Sequence, residues 1–157
     1  MSYLDLANNI LSTQLYTPQS NTQSGTTVNT AELDLQGKDG AMIIVVVGEH
    51  GGTTSGTLKH HFVLQHSDAS GSGFTDVTSA SDVSYGSVTS AGIFATINAP
   101  ATEEQNYQIG YAGVKRYVRV GMVATGNHSA GLPIGVNAIT SDIHKPEYGS
   151  DDGSPTG

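Results

Sequence analysis

Cysteine and tryptophan are both absent from the 157 residues. Without cysteine, disulfide scaffolds, thiolate metal sites and cysteine nucleophiles are excluded. Without tryptophan, and with only seven tyrosines, a sugar-gripping aromatic platform has little to be built from. Charge is also scarce. Asp, Glu, Lys and Arg make up 13% of the chain, about half the usual share, so the surface has to be made from Ser, Thr, Asn, Gln and Gly. Those residues compete with helical backbone bonding and favour a loop-rich all-β protein. Basic residues are scarcer still, six against fourteen acidic ones, for a net charge of −8. Such a field repels phosphate backbones, so no nucleic-acid partner is expected. Long apolar runs are missing too. The longest, Ala41 to Val47, is far too short to cross a bilayer. The opening Met1-Ser2-Tyr3-Leu4-Asp5 has no basic, then apolar, signal pattern. A soluble protein with no membrane partner is expected.

What is present reads as strands separated by turns. Eight strand-length segments are predicted, near 28–35, 41–47, 58–66, 74–77, 93–98, 107–111, 117–125 and 133–139. Gly51-Gly52-Thr53-Thr54-Ser55-Gly56 and Ser70-Gly71-Ser72-Gly73 punctuate them as loops. Within 117–125, Val118, Val120, Met122 and Ala124 point one way, and Tyr117, Arg119, Gly121 and Val123 the other. The run 41–47 is apolar on both faces, which predicts a central strand or one lying under a subunit contact, with Val45 buried. This spacing predicts an antiparallel β-sandwich, jelly-roll-like, over residues 28–140. Ahead of it, Leu4, Ala7, Ile10 and Leu11 are spaced to share one face of a two-turn helix. So short a helix needs a surface to lie on. Followed by the polar stretch 14–27, it predicts an N-terminal helix and extended arm over 1–27 that docks on a partner. Residues 141–157, rich in Gly, Ser and Asp at their end, are expected to form a flexible tail.

Signals for chemistry are weak. His60 and His66 share a strand face but stand roughly 20 Å apart at the usual rise. One straight strand cannot bring both to one ion. A metal site would need His50, His128 or another subunit, and structural histidines are the expectation instead, with no metal and no cofactor. Asp68-Ala69-Ser70-Gly71-Ser72-Gly73 lacks the alternating acidic ligands and terminal glutamate of a calcium loop. Glu103 and Glu104 are adjacent and point apart on an extended segment. No nucleophile elbow, phosphate loop or His-Glu-x-x-His motif occurs. No catalytic residue is assigned, and an enzyme is not expected. Lys115, Arg116 and Arg119 form the one basic cluster, suited to carboxylates within the fold or on a partner.

Several blocks, taken in order, resemble small virion proteins of tailed bacteriophages, often encoded beside the major capsid protein. These are Leu33-Asp34-Leu35-Gln36-Gly37, the run 41–47 followed by Gly48, Phe62-Val63-Leu64-Gln65-His66-Ser67-Asp68 and Phe74-Thr75-Asp76-Val77. The order continues with Gly110-Tyr111-Ala112-Gly113-Val114-Lys115-Arg116-Tyr117-Val118-Arg119-Val120, Thr125-Gly126-Asn127-His128 and Pro133-Ile134-Gly135-Val136-Asn137-Ala138. The resemblance spans roughly Leu33 to Ile139. It implies a head decoration (cement) protein that binds the capsid exterior, made in the bacterial cytoplasm and performing no chemistry. Its partners would be the major capsid protein and itself, as a homotrimer. The alternatives are a head–tail or tail component, and a carbohydrate-binding or adhesin-type β-sandwich module. Partner contacts are expected at Leu4, Ala7, Ile10 and Leu11, and failing those near Arg116 and Arg119.

Overall fold

The computed structural model describes residues 10–22, 25–128 and 130–141. Among the described residues, eleven strands run in the order β1 (Ile10–Asn21), β2 (Thr27–Asn29), β3 (Leu33–Asp34), β4 (Ala41–Val47), β5 (Lys59–Ser67), β6 (Thr75–Asp76), β7 (Val83–Tyr85), β8 (Ile93–Ile97), β9 (Asn106–Tyr111), β10 (Tyr117–Thr125) and β11 (Leu132–Ser141). Short 3-10 turns at Ala80–Asp82 and Pro100–Thr102 are the helical elements among the described residues. Every pairing is antiparallel. One sheet has the order β1-β11-β4-β9-β7, and the other β2-β10-β5-β6, with β3 also on β10 and β8 also on β5. The expected all-β antiparallel sandwich is what the chain forms.

The core follows from period-two alternation. In β10, Val118, Val120, Met122 and Ala124 are all buried, while Tyr117, Arg119 and Val123 are only partly so. Phe62 and Leu64 of β5 stand opposite Met122 and Val120 on the same inner face. From the other sheet come Ile43 and Val45 of β4, Ile109 of β9, and Ile134, Val136 and Ala138 of β11. Val45, fully buried, pairs with Val136 on one side and Tyr107 on the other.

The N-terminal reading is corrected. Leu4 and Ala7 lie outside the described residues, but Ile10 and Leu11 open a strand, not the last turn of a helix. Residues 10–21 are the edge strand of the first sheet, paired with β11 from Ile10↔Ser141 to Asn21↔Leu132. The sandwich thus begins well before residue 28, and the segment read as a free arm is largely sheet. The hydrophobic pattern hid this strand because only Leu15 and Asn21 of β1 are buried. Thr, Tyr and Ser suit a solvated edge, and Pro18, which cannot donate to a ladder, falls in the register shift between Tyr16 and Gln19. The predicted strand 28–35 is two short strands, because Thr30 turns in between. Its N–H donates to the Val120 carbonyl and its Oγ1 accepts from the Val120 N–H. Of the tail, residues 142–157 lie outside the described set.

Candidate functional site

The basic cluster is answered inside the fold. Arg116 makes a two-pronged contact with Asp34, Nε to Oδ1 at 2.9 Å and Nη2 to Oδ2 at 2.7 Å. Lys115 pairs with Asp68. Arg119 donates to Gln65 Oε1 at 3.0 Å and stacks its guanidinium 3.9 Å from the Phe74 ring centre. These side chains tie strand ends together, so neither Arg116 nor Arg119 presents an unengaged cation to a partner. The Arg116 guanidinium, aided by the Gln36 N–H, holds the Asp34 carboxyl down at about 2. A depressed carboxylate contributes stability above its unfolded pKa of about 3.8 and loses it as pH falls toward 2. Both partners are more than 40% exposed, so water screens the pair and its contribution to stability is small. Unfolding free energies from urea at pH 5 and pH 2.5 should differ less in Arg116→Gln than in the unaltered protein.

A second feature lies on the outer face of the first sheet. Met42 and Ile44 of β4 are half-buried, and Val46 is 44% exposed. Pairing sets Met42 beside Ile139 and Ile44 beside Asn137 of β11, with Gln108 and Asn106 flanking on β9. Ile10 joins this surface where it lines a cleft of about 390 Å³ with Met42 and Ile139. The strand residues of this surface carry no charge, on a protein whose net charge is −8, and Asp39 lines the cleft at its end. Sequence periodicity found the apolar character of both β4 faces, but not which of them the sandwich leaves to solvent.

The third feature is a group of buried histidines at one end of the sandwich. His60 sits on β5 opposite Ala124, on the inner face, and is fully buried. His50 lies in the loop after β4, and His128 in the turn after β10; both are 4–5% exposed. Gly126 makes that turn. Its φ of 87° is left-handed, and a Cβ there would meet the Thr57 carbonyl at 2.6 Å, so other residues are shut out. Glu103 anchors the His50 loop, accepting from the His50 N–H at 2.9 Å and from Thr54 Oγ1 at 2.7 Å. The ring centres of His60 and His128 are 4.2 Å apart, and His50 is 5.4 Å from His128 and 5.9 Å from His60.

The proton positions follow from the partners. The Gly52 N–H donates to His50 Nδ1 at 3.0 Å, so the neutral ring carries its proton on Nε2. That nitrogen faces His128 Nδ1 at 3.3 Å, which places the His128 proton on Nε2, 2.9 Å from the Thr125 carbonyl. His60 stands apart, since neither of its ring nitrogens has a partner among the described residues. Burial, and next the neighbouring His128 and His50, push its pKa down to about 4, so the ring is neutral. The other two strand histidines are structural, as expected. His61 bonds Thr96 at 2.8 Å on the opposite face, and His66 bonds the Tyr111 hydroxyl at 3.0 Å at the far end of β5.

Comparison with protein-family models and with curated proteins finds no match. Among solved structures, the chain is similar to the cleaved adhesin domain of Lys-gingipain from Porphyromonas gingivalis. The match has 16% identity and a TM-score of 0.40, and covers 84% of this chain and 74% of that one.

Proposed function

We propose that this chain is a non-enzymatic structural protein of a bacteriophage virion, a decoration protein that binds the major capsid protein on the outside of the head and acts as a homotrimer. The observation that carries the reading is the uncharged apolar stripe Met42–Ile44–Val46 with Ile139 on the outer face of the first sheet. A strand whose two faces are both apolar serves two interfaces, one with its own core and one with a partner. The resemblance of the ordered sequence blocks to phage virion proteins supports a capsid shell as that partner. Many copies on a shell multiply a modest contact energy, and whatever binds the assembled state alone stabilises it by linkage. The acidic charge suits a protein that faces away from packaged DNA.

The described tyrosines weigh against a sugar-binding module. Tyr16 and Tyr85 lie on opposite edge strands of one sheet, Tyr117 belongs to the other sheet, Tyr107 packs against the core, and Tyr111 is fully buried. No shared platform joins them. The test is co-sedimentation with undecorated capsids. Val46→Asp should keep the β-type circular dichroism of the unaltered protein and bind shells at least about a hundredfold more weakly, because docking would bury an unpaired carboxylate. Equal decoration by that variant, or no decoration by the unaltered protein, overturns the proposal.

A further inference from the structure

We propose that His50, His60 and His128 form a site for one borderline divalent transition-metal ion, Zn2+ or a close analogue such as Co2+ or Ni2+. Ligand chemistry comes first. Three neutral imidazoles without a thiolate or carboxylate among them suit these ions and disfavour Mg2+ and Ca2+, which seek oxygen. One ligand atom from each ring lies within 4.8 Å of the others. Two Zn–N bonds of 2.0–2.1 Å at the tetrahedral angle hold their nitrogens about 3.3 Å apart. His50 Nε2 and His128 Nδ1 already stand at 3.3 Å. Rotation of the His60 side chain would have to close the third approach from within 4.8 Å.

The independent observation is His60. A neutral imidazole always has a donor on one nitrogen and an acceptor on the other. Here both are fully buried and unpartnered, a state that costs free energy and that folded proteins rarely keep without cause. A cation between the rings would give the acceptor nitrogen its partner, and so relieve one of the two unpaired groups. The surroundings fit as well. His128 turns its Nε2–H to the Thr125 carbonyl, which fixes the tautomer that leaves Nδ1 for a metal. A cleft of about 340 Å³ lined by His50, Thr53, Leu58, Asn127 and His128 is a way in, and a solvent molecule from it would fill the fourth position.

Besides that rotation, binding requires one change in the backbone. In the metal-free network the His50 proton lies on Nε2, between the rings. Ligation there moves that proton to Nδ1, where it meets the Gly52 N–H. The Gly51–Gly52 peptide has to turn away, and two glycines permit it. The ion would then tie the loop after β4, in the first sheet, to β5 and the turn after β10, in the second. This inference goes beyond the decoration reading and does not depend on it.

The test uses tag-free protein, stripped with a chelator and titrated with Zn2+, with Co2+ as a spectroscopic probe. One equivalent of Zn2+ is expected per chain, with the strong visible bands of four-coordinate Co2+ and no response to Mg2+ or Ca2+. At a free concentration one hundred times Kd, the melting temperature should rise by about 5–10 °C. The Gly52 amide resonance should move. His60→Leu and His128→Asn should each weaken binding at least a hundredfold, whereas His61→Ala, on the opposite face, should not. Absence of binding, binding unchanged in His60→Leu and His128→Asn, or an unmoved Gly52 amide in the zinc-loaded protein would each overturn the three-histidine site.

Discussion

Val45→Asp is expected to leave no folded protein. Val45 is fully buried between Val136 and Tyr107 in the middle of the first sheet. A carboxylate there has no cation within the sandwich to pair with, and burying one unpaired costs several kcal/mol at least. Domains of this size hold about 5–15 kcal/mol in total. The loss is therefore comparable to everything the fold has. Circular dichroism and the yield of soluble protein would show it. The milder Val45→Ala should still fold, with about 2 kcal/mol lost to the removed methyl groups and the space they leave. The next residue gives the contrast. Val46 faces outward at 44% exposure, so Val46→Asp should leave stability within about 0.5 kcal/mol of the unaltered protein. If Val45→Asp folds with near-normal stability, β4 is not the strand that divides core from surface.

His60→Leu should have the opposite sign, raising the stability of the metal-free protein by about 1–3 kcal/mol. Leucine fills similar space beside Ala124 and Ile97, and it removes two buried polar atoms that the folded chain leaves without partners. In the unfolded chain water satisfies both nitrogens, so the penalty is felt only on folding. Urea denaturation in excess chelator is the measurement. A midpoint that falls by a comparable amount would mean that the imidazole has a stabilising partner in the folded state, and the account of a frustrated ring would fail. The expected rise in stability and the expected loss of zinc come from the same substitution. A residue kept at a cost to stability and recovered by a ligand is one retained for that ligand.

Much of the architecture was legible because its causes are local. Strands 41–47 and 117–125 have the bounds read from the chain, since alternation along a strand and glycine at its ends act over a few residues. The edge strand β1 was not legible. With Leu15 as its one buried apolar side chain, it has almost no pattern of its own and is a strand because β11 offers it a ladder. The same limit held at Arg116 and Arg119, whose partners Asp34, Gln65 and Phe74 lie dozens of residues away.

By itself, then, the sequence determined an acidic, cysteine-free, all-β chain with two well-marked inner faces. These follow from composition and from a period of two. Only the tertiary structure decided which face of β4 meets solvent, because that depends on what the other sheet covers. Only it could bring His50, His60 and His128 together, since a loop of one sheet, a strand of the other and a turn after β10 converge at one end of the sandwich. Spacing along one strand argued against a site made by His60 and His66. The sequence named His50 and His128 as what such a site would need, but not that packing brings them to His60, because distance across sheets is not set by the rise of a chain.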